Sequence, residues 1–295
     1  MVKERTGYRD DNAQVEASKA HGFVYNLADI GFADLETDDD GIPCAIVLAT
    51  DKEDDGILPI GSRTQQQELY SCGKICEKAL PIFWLSYSSK RADGWKIWPL
   101  NSCALFYVRL KRTISETEYV QILYDTRENG DLVPDDVKHE LESTSFEQTQ
   151  KDADEKFSDN KVPYRFRWYS TRHRKLYGGK CHMINIDDVL INVKTGEPKA
   201  FIEYKASGYN KKHAKYGIDV LGYAGELCGI PSVLSVHDLE LSEFMVSPIN
   251  GLAFDFFEAY NYMPGEKLLS DEYWIFVNQL SGTLTYEDYQ HKRME

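Results

Sequence analysis

Three residues whose types and spacing are suited to chemistry, Asp187, Glu203 and Lys205, lie in two neighbouring apolar segments of the chain. Successive side chains of a strand alternate between its faces, so Glu203 and Lys205 point to the same side. The turn-forming residues 194–198 predict a hairpin that brings Asp187 alongside Glu203. Two carboxylates suit a hard cation such as Mg²⁺ (or Mn²⁺), and a nearby lysine can orient or deprotonate a water and offset charge on a phosphate. The pattern therefore predicts a metal site for phosphodiester hydrolysis.

An Asp in an apolar strand, a short turn and then Glu-x-Lys in the next strand resembles the PD-(D/E)XK nuclease superfamily. The resemblance implies an α/β fold of the restriction-endonuclease-like kind, in which a central mixed sheet is flanked by helices. It also implies that Asp187 and Glu203 are metal ligands, that Lys205 is the catalytic lysine and that DNA is the partner. The proline of the family signature is absent, and Asn185 and Ile186 stand in its place. No residue distinguishes DNA from RNA as the substrate.

Several choices remain open within this motif. Asp187 and Asp188 are adjacent and face opposite sides of a regular strand, so only one is a ligand, and Asp187 is favoured. Asp219 and Tyr223 fall where a subset of these nucleases carries a helical Gln-x-x-x-Tyr, which makes Asp188, Asp219 and Tyr223 candidate supporting or substrate-binding residues. The plainer alternative is a surface hairpin in which Glu203 and Lys205 form an ion pair of little energetic value.

The sequence also contains an internal repeat, which predicts two copies of the same structural unit. Four segments recur in the same order: 66–70 with 219–223, 80–85 with 230–235, 97–106 with 246–254, and the capped helix starts 115–119 with 270–273. Extending the same register matches 41–50 with 196–205. This repetition predicts two restriction-endonuclease-like units: a first domain at 1–135, a linker and leading helix at 136–160, and a second domain at 161–295. The alternative is a pair of unrelated α/β units that merely share similar turns.

The match of 41–50 with 196–205 places Leu48 at the glutamate position and Thr50 at the lysine position. Aligning the two turns on their threonines places Asp29 on Asp187 and makes 38–40 an insertion. The first copy is then degenerate, with Asp29, Leu48 and Thr50 in place of the catalytic set. We expect one active site per chain, with the first half serving in positioning or pairing.

Charge is the observation that fits a nuclease least well, because the net charge is −14. Residues 1–150 carry 16 basic and 27 acidic residues, whereas 151–295 carry 18 and 21. The segment 164–175 interleaves basic and aromatic residues, and Arg172, Arg174 and Lys175 are candidate phosphate-binding residues there. The alternative is an amphipathic helix that packs on a sheet.

The chain has no apolar run long enough for a membrane span and no signal-peptide core near Met1, so we expect a cytoplasmic protein without a membrane partner. The six scattered cysteines are expected to be reduced thiols. Single-strand nicking is expected from a monomer, and double-strand cleavage from a homodimer formed through the degenerate half. A second hypothesis from another class is a non-catalytic nucleic-acid- or protein-binding regulator on a nuclease scaffold.

Overall fold

The computed structural model has a mixed α/β fold with two mixed β-sheets. It describes residues 24–26, 32–51, 74, 79–127, 130, 132–156, 164–177, 182–192, 195–238 and 240–282. These residues form two compact units, and the chain passes from the first to the second between Asn185 and Ile186. Two earlier segments, which include residues 24–26 and residue 74, also belong to the second unit.

Six strands form the sheet of each unit. The first sheet contains β2 (Phe32–Thr37), β3 (Pro43–Asp51), β4 (Ile82–Tyr87), β5 (Trp95–Pro99), β6 (Arg112–Ile114) and β7 (His182–Asn185), in the order β6-β5-β4-β3-β2-β7. The second contains β1 (Val24–Asn26), β8 (Asp188–Asn192), β9 (Glu197–Ala206), β10 (Ser232–His237), β11 (Glu243–Pro248) and β12 (Glu266–Leu269), in the order β1-β8-β9-β10-β11-β12.

The two sheets have the same topology. In the first, β3 and β4 are parallel and every other neighbouring pair is antiparallel. In the second, the single parallel pair is β9 and β10, at the corresponding place. Parallel neighbours need a crossover connection, so the chain crosses over at the same point of each sheet.

In each sheet, one edge strand is adjacent in sequence to strands of the other sheet. Strand β1 precedes β2 in sequence, yet it pairs with β8 of the second sheet. Strand β7 directly precedes β8, yet it pairs with β2 of the first sheet. The two units are therefore not two consecutive stretches of sequence.

The described residues contain seven α-helices: α1 (Glu116–Asp125), α2 (Asp135–Ser143), α3 (Phe146–Lys156), α4 (Tyr164–Leu176), α5 (Lys211–Cys228), α6 (Gly251–Tyr260) and α7 (Ser270–Leu280). The first core joins Val47 of β3 with Val137 of α2, Phe146 of α3 and Trp168 of α4. The predicted boundaries are thus corrected: 136–160 is not a linker, and residues up to Asn185 complete the first unit because their apolar faces are buried on its sheet.

An asparagine follows β5 in the first unit and β11 in the second, and it makes the same hydrogen bonds in both units. Asn101 Oδ1 accepts hydrogen bonds from the N–H groups of Ile82 (3.2 Å) and Ala104 (2.9 Å), and its Nδ2 donates to the carbonyl of Leu80 (2.7 Å). Asn250 repeats all three bonds with its own neighbours: it accepts from Ser232 (2.9 Å) and Ala253 (3.0 Å) and donates to Ile230 (2.9 Å). The two sequence segments that the repeat aligns at these asparagines therefore occupy equivalent places.

The register of the hairpins corrects one part of the predicted repeat. Asp34 lies opposite Val47 in the first sheet, and Asp188 lies opposite Ile202 in the second. Since β3 and β9 correspond, Asp34 is the counterpart of Asp188. Residue Asp29, which the sequence aligned with Asp187, lies outside the described residues.

The predicted match of Thr37 with Thr195 is wrong, because the strand registers place Thr37 at the position of Ile191. Gly41 and Gly196 both have positive φ, at 79° and 67°, and each is the equivalent turn residue before the proline of its second strand. Measured from Thr37 and Ile191, the turn of the first sheet is one residue shorter than that of the second, so residues 38–40 are not an insertion.

Two further expectations concern cysteines and membranes. Cys228 is disulfide-bonded, which contradicts the expectation of reduced thiols throughout, whereas Cys44 and Cys103 are free. Among the described residues, no helix combines the length and the apolar character that a membrane crossing requires.

Candidate active site

Asp187, Glu203 and Lys205 come together at the hairpin of β8 and β9. Asp187 directly precedes β8, and its Oδ2 accepts a hydrogen bond from the backbone N–H of Tyr204 at 2.8 Å. That bond crosses from one strand to the next, so it fixes the Asp187 carboxylate beside the backbone that carries Glu203 and Lys205. The pairing of the two strands, predicted from their apolar runs and the turn between them, is what positions the three side chains.

The lysine lies between the two carboxylates. Lys205 Nζ is 2.5 Å from Glu203 Oε1 and 4.0 Å from Asp187 Oδ2. Asp187 is 8% exposed and Glu203 6% exposed, whereas the Lys205 side chain is 23% exposed. Two largely buried carboxylates facing one ammonium leave a net negative charge, which favours the binding of a further cation.

The neighbouring Asp188 faces the other side of the sheet. It is fully buried, and its strand partner Ile202 belongs to the second core together with Tyr204 and Tyr273. Burial raises the pKa of the Tyr204 phenol well above its usual value, and the nearby Tyr273 and Asp188 raise it further. The two aspartates are thus separated by the sheet, and Asp187 is the one that shares a face with Glu203 and Lys205.

The donor set is compatible with Mg²⁺ or Mn²⁺, although it is small. Mg²⁺ in proteins is commonly held by one or two carboxylates and completes its shell with water and substrate phosphate oxygens. Asp187 and Glu203 supply two carboxylates on one face. Within the described part of the chain, no group of three His, Cys, Asp or Glu side chains is arranged to hold a metal ion.

Helix α5 covers the face of the sheet that carries the site. The Oγ atom of Ser232, whose strand partner is Phe201, donates a hydrogen bond to the carbonyl of Leu221 at 3.2 Å. A Cβ atom at Gly225 would lie 2.1 Å from that same Oγ atom, so the close approach of the helix requires glycine there.

Asp219 and Tyr223, the candidate supporting residues, both lie on the exposed face of α5, opposite its buried residues. Asp219 forms an ion pair with Lys215 of the same helix. Tyr223 is 45% exposed. The structure brings neither of them into the hydrogen-bonded group formed by Asp187, Tyr204 and Lys205.

The equivalent face of the first sheet is filled by indole rings. Leu48 lies opposite Trp84, as Glu203 lies opposite Leu234. Thr50 Oγ1 accepts a hydrogen bond from Trp84 Nε1 at 3.1 Å, and Trp84 is stacked on Trp98 with ring centroids 4.1 Å apart. Leu48 and Thr50 therefore occupy the positions predicted for them, and the signal that sequence reasoning missed is the pair of tryptophans.

A buried acidic pair on the other face of β2 was also missed. Asp34 is fully buried, and neither of its carboxylate oxygens has a hydrogen-bond partner among the described residues. Burial, together with the nearby Glu36, raises its pKa well above the usual value, while Arg174 acts in the opposite direction. Glu36 itself contacts His173 Nε2 at 2.9 Å. The alternation of Asp34 and Glu36 along an otherwise apolar strand was the available signal.

Two basic residues of α4, Arg172 and Lys175, have structural partners in the first unit. Arg172 is 1% exposed and makes a two-pronged ion pair with Glu116, at 2.7 and 2.8 Å, so the prediction that it binds phosphate is wrong. Lys175 is paired with Asp152 at 2.5 Å. Arg174 is exposed. The helix packs Trp168 into the core, as the alternative reading of this segment expected.

Comparisons with known proteins found no match, whether to a family model, to a curated protein or to a solved structure.

Proposed function

We propose that this protein is a metal-dependent endonuclease that hydrolyses phosphodiester bonds of DNA at one active site per chain. The observation that carries the proposal is the contact of Lys205 with Glu203 at 2.5 Å and with Asp187 at 4.0 Å, on one face of a strand pair. A purely structural ion pair needs one carboxylate. A second, largely buried carboxylate at the same ammonium is better explained by a site that receives a cation and a phosphate.

Each side chain has a distinct role in this proposal. Asp187 and Glu203 are the residues that would hold Mg²⁺ or Mn²⁺. When bound, such an ion lowers the pKa of a coordinated water and neutralises charge on the phosphate. Lys205 orients the attacking water, or accepts its proton, and its positive charge offsets the charge that develops on the phosphoryl oxygens. The N–H group of Tyr204 keeps the Asp187 carboxylate in place through the 2.8 Å bond.

The first unit takes a non-catalytic role in this proposal. Its sheet repeats the topology of the second, but Leu48 and Thr50 stand at the positions of Glu203 and Lys205. We interpret the pair of units as a duplicated restriction-endonuclease-like domain in which one copy has lost its ligands. One live site cuts one phosphate per encounter, so nicking is the expected product of a single chain, and double-strand cleavage requires a homodimer.

Supercoiled plasmid tests this function directly. With Mg²⁺ or Mn²⁺, the wild-type protein is expected to convert supercoiled DNA to the nicked form, and Lys205→Ala and Glu203→Gln are expected to lower the rate at least about a hundredfold. The matched control is a second ion pair on the same strand, Lys199 with Glu197, which is exposed. Lys199→Ala should cleave as the wild type does. Absence of nicking by the wild type, or full activity of Lys205→Ala, would refute the function.

A second candidate is a non-catalytic regulator on the same scaffold, and two observations favour it. The net charge of −14 opposes a broad nucleic-acid footprint, and the described residues contain no group of three His, Cys, Asp or Glu side chains arranged to hold a metal ion. The discriminating measurement is thermal unfolding with and without Mn²⁺. Stabilisation of the wild type that is lost in Glu203→Ala supports the metal site, whereas equal behaviour of the two proteins supports the regulator.

A further inference from the structure

Six exposed side chains between β5 and the start of α1 form a mixed apolar and basic surface of the first unit, here called the 105–112 surface. Its members are Leu105, Phe106, Arg109, Leu110, Lys111 and Arg112. Phe106 is 87% exposed, Leu110 77% and Leu105 48%. Three apolar and three basic side chains that are all exposed within eight consecutive residues indicate a binding surface rather than ordinary scatter.

The backbone beneath this surface is held firmly. Ala104 and Val108 are buried in the first core, at 0% and 1% exposure, and Asn101 accepts a hydrogen bond from the Ala104 N–H group. The ring of Tyr107 packs edge-on against Phe83, with centroids 6.4 Å apart. The exposed residues Leu105, Phe106 and Arg109 are therefore held on an ordered backbone, which lowers the entropic cost of binding through their side chains.

The second unit has a different structure at the equivalent place. After Asn250 the chain continues as the full helix α6, whereas after Asn101 it forms only the short 3-10 turn Ala104–Phe106. Helix α6 exposes the acidic residues Asp255 and Glu258. The shared topology does not dictate an exposed basic surface here, so the 105–112 surface is particular to the first unit.

The charge of the surface identifies the class of partner. The chain carries a net charge of −14, yet no acidic residue occurs from Gly94 to Ser115. Three basic side chains next to an exposed aromatic ring match a ligand with phosphates and accessible planar bases. Lys111 already lies over the ring of Trp98, 4.6 Å from its centroid, so one ammonium of this surface contacts an aromatic ring of the first unit.

We propose that the 105–112 surface binds single-stranded segments of the nucleic-acid substrate, with the basic side chains on phosphates and the Phe106 ring stacked on an unpaired base. The proposal rests on the nuclease function and specifies its substrate: nucleic acid that contains unpaired bases. The two leucines add apolar contact around the stacked base. The first unit then contributes affinity in place of catalysis.

Fluorescence anisotropy of the full-length protein in EDTA tests this binding separately from cleavage. The probes are a fluorescein-labelled single-stranded oligodeoxynucleotide and the duplex of the same length. We expect tighter binding of the single strand, and a loss of about tenfold in affinity for Phe106→Ala. Arg109→Gln combined with Arg112→Gln should lower the slope of log K against log salt by about 1.4 on the single strand.

The matched control is Leu132→Ala, because Leu132 is also highly exposed, at 78%, but lies next to the acidic residues Asp135 and Asp136. It should bind both probes as the wild type does. Unchanged affinity of Phe106→Ala, or binding to vesicles of anionic lipid without binding to the oligonucleotide, would overturn the proposal. Failure of the nuclease function itself would appear instead as absence of plasmid nicking while the anisotropy result stands.

Discussion

The hydroxyl of Thr50 accepts a hydrogen bond from the indole N–H of Trp84 at 3.1 Å, at the position where Lys205 stands in the second sheet. Trp84 is only 4% exposed and is stacked on Trp98, so the space beside Thr50 is occupied by aromatic rings. In the second sheet, Leu234 and Ser247 take the places of these two tryptophans. The two faces therefore differ in volume as well as in ligands.

Restoring the glutamate and the lysine alone is not expected to create a second active site. In the double variant Leu48→Glu and Thr50→Lys, the new charges replace side chains that are 2% and 6% exposed, next to Trp84. We expect a loss of at least about 2 kcal/mol in the free energy of unfolding and no increase in plasmid nicking. The reverse variant, Glu203→Leu with Lys205→Thr, should fold and lose nicking. A measurable gain of cleavage in the first variant would contradict the role given to the tryptophans.

We expect the contribution of Asp34 to the free energy of unfolding to fall as the pH rises. Its raised pKa means that the folded protein keeps the Asp34 proton over a pH range in which the unfolded chain, near the usual value of 3.8, has lost it. The contribution is thus fully present below about pH 4, and it declines by up to about 1.4 kcal/mol per pH unit until the folded pKa is reached. Asp34→Asn should flatten this slope in urea unfolding measured from pH 4 upward. An unchanged slope would show that other groups set it.

We expect the substitution Arg172→Ala to lower the stability of the fold strongly and to leave nucleic-acid binding unchanged. Arg172→Ala leaves the buried Glu116 without its cationic partner, and also removes a donor from the carbonyl of Thr144. We expect a cost of about 3–5 kcal/mol in the free energy of unfolding. Lys175→Ala, which removes an ion pair whose lysine is 51% exposed, should cost less than about 1 kcal/mol. A weaker salt dependence of oligonucleotide binding in folded Arg172→Ala would instead point to a phosphate contact.

We expect the Asn250 side chain to fix the position of the N-terminus of α6. Asn250→Ala removes the acceptor for the N–H groups of Ser232 and Ala253 and the donor to the Ile230 carbonyl. Because these groups are buried, we expect a loss of about 2–3 kcal/mol by thermal unfolding. Asn278→Ala is the control, since Asn278 bonds the carbonyl of Trp274 within its own helix and should cost less than about 1 kcal/mol. Equal losses in the two variants would deny Asn250 this anchoring role.

Local patterns were sufficient to predict the hairpin that carries the site. The apolar runs, the turn between them and the two-residue period placed Glu203 and Lys205 on one face and allowed only one of Asp187 and Asp188 to share that face. The same reasoning failed where the partner was distant in sequence. The burial of Arg172 depends on Glu116, 56 residues away, and no local signal in 164–175 reveals it.

The alignment of Asp29 with Asp187 failed because a threonine was used to match the turns. The sequence had already matched Gly41 with Gly196, the residues that adopt positive φ, but the strand registers match Thr37 with Ile191 and not with Thr195. A glycine constrained by φ is a better anchor than a side chain that merely recurs. The exchange of β1 and β7 between the sheets was missed for a different reason, because strands adjacent in sequence usually pair with one another.

That exchange determines how the protein can be made and divided. During synthesis, β1 leaves the ribosome before any other described strand, yet its partner β8 follows only after the whole first sheet has been made. A fragment that begins at Ile186 would lack β1, and β8 would expose a row of unpaired backbone groups to other chains. We therefore expect such a fragment to aggregate. The second unit can be excised in soluble form only if residues 24–26 are supplied with it.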